Sequence, residues 1–140
     1  MSVVRTEPFK IEHIRDGKRP LACIVHAVHR PDATEFVTPD DWTQQVGFIV
    51  YNAGDRIARH THLPIERRIV GTGEVLVVRK GRCEVDLYNE AGTLVAKREL
   101  RTGDVLILVA GGHGFRMLED TVLLEVKQGP YTGLAEKEYF

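Results

Sequence analysis

Serine is almost missing from this chain: the only one is Ser2. Nucleophilic chemistry of the Ser-His-Asp kind therefore has no residue to carry it. Cysteine is nearly as scarce. Cys23 and Cys83 lie too far apart for a CxxC pair and are too few for a disulfide framework. One bridge between them stays open at this stage, although a reducing compartment is the simpler expectation. No apolar run approaches the roughly 20 residues that span a bilayer. Residues 1–20 interleave charge with apolar residues instead of forming the unbroken apolar stretch of a signal peptide. The expectation is a cytoplasmic protein with no membrane partner. A charge excess is also lacking, because 19 Lys and Arg stand against 20 Asp and Glu. The net charge of −1 provides no basic field to hold phosphates, so no nucleic acid partner is expected.

What is present is the composition of an ordinary globular chain, 43% hydrophobic and 28% charged. Its 140 residues match one domain at about 150 residues each and suffice to bury a core without staples. From residue 46 onward, short runs rich in Val, Ile and Leu alternate with Gly, Asn or charged punctuation every eight to twelve residues or so. The runs predict strands at Val46–Tyr51, Arg56–His62, Glu74–Val78, Cys83–Tyr88, Leu94–Leu100, Val105–Val109 and Thr121–Lys127. Turns are expected between them, including one at Gly111–Gly114. In the less regular first part, Leu21–His29 reads as a strand, and Thr38-Pro39-Asp40-Asp41 as the cap of a short helical turn before Trp42. Long amphipathic helices are missing, which excludes bundles and doubly wound folds. The pattern indicates an all-β sandwich or barrel. It divides into an extension at 1–45 that covers an edge or pairs with another subunit, a barrel at 46–128, and a tail at 129–140.

Three places carry chemistry. In His60-Thr61-His62, a strand conformation puts both imidazoles on one face, which is half of a metal site or a hydrogen-bonded pair. Glu74 opens an otherwise apolar strand on the face of Leu76 and Val78. An inward carboxylate there needs a proton, a cation or a metal. His113, among Gly111, Gly112 and Gly114, follows the apolar strand after Gly103, where the chain can approach a pocket closely.

In this order, Gly54, His60-Thr61-His62, Glu74 with Gly81, then Gly103 and His113 resemble the two motifs of the cupin superfamily. The resemblance spans roughly residues 46–128. It implies a single-domain jelly-roll β-barrel, with His60, His62, Glu74 and His113 around one divalent metal. By the family's commoner spacing Glu66 would be the carboxylate ligand. Glu74 is preferred because it opens a strand leading into Gly81, whereas Glu66 sits in a loop beside Pro64. The second motif departs from the pattern with Val109 in the place of proline, His113 one residue early and Met117 in the place of asparagine. Three imidazoles and a carboxylate suit Fe, Mn, Ni, Cu or Zn better than Ca or Mg, which prefer oxygen shells. Four protein ligands on an octahedral ion leave two positions open.

Other residues divide between solvated and functional readings. Arg67 and Arg68, in the loop after Pro64, are candidates to bind a carboxylate or phosphate of a substrate. Glu125 and Lys127 share one face of the last strand, opposite Val122, Leu124 and Val126. An outward orientation leaves them solvated. An inward one makes them an acid and base beside the metal, with Tyr131 at the rim. His26 and His29, three apart, cannot form a same-face pair on a strand.

The resulting expectation is a metal-dependent enzyme acting on a small polar metabolite: an oxygenase with Fe(II), otherwise an isomerase, epimerase or decarboxylase. Resemblance to metal-free cupins that isomerise or epimerise nucleotide-linked sugars implies a second reading, in which a histidine works as a base. A small-ligand-binding module is the third. Val75 and Val77 oppose the Glu74 face, so the strand is apolar on both sides, and a homodimer is expected.

Overall fold

The computed structural model describes residues 10–132 and 136–140. Among these there is no helix, and so none long and apolar enough to cross a membrane. Ten strands form: β1 (Ile11–Asp16), β2 (Arg19–Val25), β3 (Glu35–Phe36), β4 (Gly47–Phe48), β5 (Glu74–Lys80), β6 (Arg82–Tyr88), β7 (Leu94–Arg101), β8 (Val105–Leu108), β9 (Gly112–Met117) and β10 (Val122–Lys127). The chain divides into two compact units. One is Arg30–Gly71, and the other joins the residues before it to those after it.

The larger unit is built from two antiparallel sheets, one with strand order β1-β2-β8-β5-β10 and one with order β7-β6-β9. Period-two alternation explains why they pack face to face. Ala22 and Ile24, Leu76 and Val78, and Leu106 and Leu108 point from the first sheet into a core shared with Cys83, Val85, Leu87, Ala96 and Leu100 of the second. Gly81 makes the tight β5–β6 connection at φ 89°, where an added Cβ would lie 2.2 Å from the Asp120 carbonyl oxygen. Both cysteines are free thiols buried in this unit. At one side of the sandwich, β1 is tied to β7 by Arg98 Nε donating to Glu12 Oε1 at 2.6 Å. The other side ends in β9 and β10. Among the described residues β9 pairs only with β6, and β10 only with β5.

In the smaller unit, β3 and β4 form a short antiparallel ribbon, extended by Val37 N–H donating to Val46 O at 2.9 Å. The expected strand at Val46–Tyr51 is thus reduced to two residues. The expected helical turn at 38–41 is a single reverse turn closed by Trp42 N–H to Pro39 O at 3.2 Å. Arg56–His62, expected as a strand, is extended chain without a ladder, and every residue from 51 to 72 is exposed. Alternation supplies a strand's side-chain pattern, but a ladder also needs a neighbour to take its N–H and C=O groups. With neither segment contributing a full strand, the sheets stay open and no closed barrel forms.

Candidate functional site

Glu74 begins β5 and sits across the ladder from Lys127, at the end of β10. Gly73 N–H donates to the Gln128 side-chain oxygen, which fastens these two strand ends together. Strand parity puts Glu74 on the inward face with Leu76 and Val78. The same parity applies to β10: Val122, Leu124 and Val126 are exposed, whereas Leu123 packs on the core, so Glu125 and Lys127 share the inward face. The carboxylate and ammonium of β10 therefore reach the surroundings of Glu74.

From the second sheet comes β9, in the stretch expected as a turn. Gly111 turns the chain into it at φ 73°, with the Tyr88 carbonyl so close that an added Cβ would lie 2.1 Å away. His113 pairs with Leu87 and Phe115 with Val85, so His113, Phe115 and Met117 face inward. The signal for this strand was present as the alternation His113, Phe115, Met117, masked by the glycines around it. Across the sandwich, His113 Nε2 lies 3.4 Å from Glu74 Oε2, with side-chain exposures of 34% and 12%.

Burial pushes the Glu74 carboxyl above its ordinary range. His113 and Lys127 pull it back, while the neighbouring Glu125 pushes it up further. The result is a largely buried Glu74 carboxyl with the His113 imidazole, the exposed Glu125 carboxylate and the exposed Lys127 ammonium around it, at the β9 and β10 ends of the two sheets.

His60 and His62 belong to the smaller unit. Both are exposed and lie side by side, with ring centroids 5.2 Å apart and planes at 69°. His60 Nδ1 is 2.7 Å from the Ala58 carbonyl oxygen. A carbonyl only accepts, so Nδ1 carries a proton and Nε2 is the nitrogen that a metal would take in the neutral ring. Metal-binding imidazoles are commonly oriented by this arrangement. Glu66, Arg67 and Arg68 are exposed in the same unit. Tyr131, at 86% exposure, lies beyond the end of β10.

No protein-family model matches this chain, and neither a curated protein nor a solved structure does.

The donor chemistry can be tested against an ion directly. Two donors bonded at about 2.0–2.1 Å to one ion lie roughly 3.0–3.4 Å apart. The separation of Glu74 Oε2 and His113 Nε2 falls at the upper end of that interval. These two side chains fit half of a ligand set. Among the described residues, no three His, Cys, Asp or Glu side chains are grouped so as to hold an ion. Within the larger unit the sequence-predicted ligands Glu74 and His113 come together, and within the smaller one His60 and His62 do.

Proposed function

We propose that this chain is a small metal-binding protein of the cupin kind, with Glu74, His113, His60 and His62 as the ligands of one divalent transition metal, acting as an enzyme on a small polar metabolite. The observation that carries this reading is the 3.4 Å approach of His113 Nε2 to Glu74 Oε2 from two different sheets. Two antiparallel sheets packed face to face support the jelly-roll form of the fold. The Nδ1 hydrogen bond of His60 to the Ala58 carbonyl, which directs Nε2 away from it, supports a ligand role for the second pair.

The chain's own residues divide the work. Glu74 and His113 provide an anionic and a neutral donor. Lys127 offers a cation to an anionic substrate group, and Glu125 holds or releases a proton beside it. Arg67 and Arg68 are the proposed contacts to a carboxylate or phosphate on the substrate. A bound divalent ion would supply the polarisation of a ligated substrate oxygen. Elemental analysis of protein purified without chelators tests the reading: about one transition metal per chain is expected, lost in Glu74→Ala and in His60→Ala. Protein free of metal in all preparations and after Co(II) titration rejects it.

One observation favours a second reading. His113 Nε2 at 3.4 Å from Glu74 Oε2, with the Glu125 carboxylate beside them, is equally the arrangement of an imidazole base held by a carboxylate and working without metal. Turnover that persists in excess chelator, and is lost in Glu125→Gln, would favour this metal-free isomerase or epimerase over the first reading. A ligand bound without turnover under any metal or oxygen condition would favour a binding module.

A further inference from the structure

We infer that Phe140 is a positioning residue for His113: its ring supplies from the outer face the packing that Gly112 lacks, and so holds the glycine-flanked start of β9 where His113 meets Glu74. The consequence for metal binding rests on the function proposed above. The packing itself rests on contacts within the larger unit alone.

The first observation is how weakly β9 is fixed by its own residues at this point. His113 lies between Gly112 and Gly114, and among the described residues β9 has β6 as its one ladder neighbour. Glycine weakens a strand twice, by its extra backbone freedom and by leaving no side chain to pack. Strand parity turns Gly112 and Gly114 to the face opposite His113, so that face carries no β9 side chain until Arg116.

The second is what fills the bare place. Gly112 is the ladder partner of Tyr88. The Phe140 ring stands edge-on to the ring of Tyr88, with centroids 5.1 Å apart and planes at 90°. A Cβ added at Gly112 would lie 2.7 Å from Phe140 Cζ, and one added at Gly92, in the β6–β7 turn, 3.5 Å from Phe140 Cδ2. An aromatic ring laid over a strand glycine replaces the missing cross-strand contact. Phe140 stays 76% exposed, which is too little burial to hold the sandwich together. What packing it has falls on these three residues.

The third is where the tail is tied. Gln128 accepts the N–H of Gly73, which precedes Glu74, and Phe140 covers Gly112, which precedes His113. Between these ties Thr132 Oγ1 donates to Glu136 Oε1 at 2.9 Å. The tail thus touches each sheet next to one member of the pair. Glu74 and His113 belong to different sheets, so no ladder hydrogen bond sets their separation. The link at 109–111 brings β9 to this end of the sandwich, and Phe140 braces its first residue from behind.

Nuclear Overhauser effects test the role without metal. Wild type should show an effect between the His113 ring protons and the Glu74 γ-protons. A shift of about 0.5 Å, the tolerance of a functional constellation, roughly halves a signal that falls with the sixth power of distance. Phe140→Ala should therefore lower the His113–Glu74 effect about two-fold or more, with the effect between Leu76 and Leu106, ladder partners in the core, unchanged. Adding Gly112→Ala to Phe140→Ala should restore most of it, because the nearest contact of the new methyl outside residue 140 is Tyr88 Cβ at 3.7 Å. An unchanged His113–Glu74 effect in Phe140→Ala, no recovery in the double variant, or loss of the Leu76–Leu106 effect along with it overturns the assignment. Cobalt(II) titration of the same proteins keeps the metal reading separate. Wild type should bind the ion and Phe140→Ala should bind it about 10-fold more weakly, the lower end of what loss of an orienting partner costs. A wild type that binds no cobalt while the Overhauser effects behave as expected sinks the metal reading and leaves the role of Phe140 standing.

Discussion

Glu74 and Lys127 are partners across the β5–β10 ladder, so the carboxylate that opens one strand faces the ammonium that ends its neighbour. Burial pushes the Glu74 carboxyl above the ordinary carboxylate range. Lys127 and His113 offset part of that cost, and Glu125 adds to it. This balance sets how readily the Glu74 carboxyl gives up its proton. A carboxyl shielded by apolar neighbours alone would stay neutral, and one paired with a fixed arginine would have no affinity left to offer.

The identity of the carboxylate ligand is decided by substitution. Glu74→Ala should lower metal affinity by about 100-fold or more, as loss of a ligand costs at least what loss of its orienting partner does. Glu66→Ala should leave it within about two-fold, because that side chain is exposed. Calorimetric titration with Zn(II) or Co(II) reads both. The reverse order would transfer the ligand role to Glu66.

The raised Glu74 pKa has a consequence for the metal-free protein. A carboxyl that holds its proton more tightly when folded favours the folded state fully below its unfolded value, about 4.3. That contribution is lost as pH rises through the higher folded value. Glu74→Gln should therefore raise the melting temperature at pH 7 while abolishing metal binding, and its advantage should vanish near pH 4. An equal loss of stability at both pH values would contradict the assigned shift.

Glu99 works in the opposite sense. Burial would raise its carboxyl, but hydrogen bonds from Arg82 at 3.0 Å and Arg101 at 3.1 Å hold it below the usual value. Its stabilising contribution is present above pH of about 4.3 and is lost as pH falls through the lower folded value. Glu99→Gln should cost about 1 kcal/mol at pH 7 and little at pH 3, as measured by urea unfolding.

At Gly111 the backbone is left-handed, and a methyl group would run into the Tyr88 carbonyl at 2.1 Å. Gly111→Ala should cost about 3 kcal/mol or more from the two effects together. It should also shift His113, since β9 begins at the next residue. Thermal unfolding together with cobalt titration checks both parts. A variant as stable as wild type would show that the turn can relax.

Cys23 is fully buried, and burial pushes its thiol to about 11, with Glu12 adding to the rise and Arg15 opposing it. At pH 8 the reactive thiolate is correspondingly scarce. Iodoacetamide should label neither cysteine in the native protein within hours, and both within minutes in urea. Rapid native labelling would mean that the sandwich opens locally.

The all-β class, and strands β5, β6, β7, β8 and β10 to within one or two residues, were legible from alternation and turn residues alone. His60, His62, Glu74 and His113 stood out as candidates because an imidazole pair at strand spacing and a carboxylate in an apolar run are visible in local sequence. The sequence did not reveal β1, whose Glu12, His13 and Arg15 disguise its inward Ile14. It also missed β9, whose glycines read as a turn. Conversely, the spacing of Arg56–His62 predicted a strand where the chain is extended without a ladder. Periodicity fixes which face of a strand a residue occupies, but a partner for the backbone is a property of the assembled sheets. Only the tertiary structure decided that Glu125 and Lys127 share the face of Leu123, that Glu74 meets His113 from the opposite sheet, and that the two sheets do not close into a barrel. Each depends on strands far apart in the chain being brought side by side.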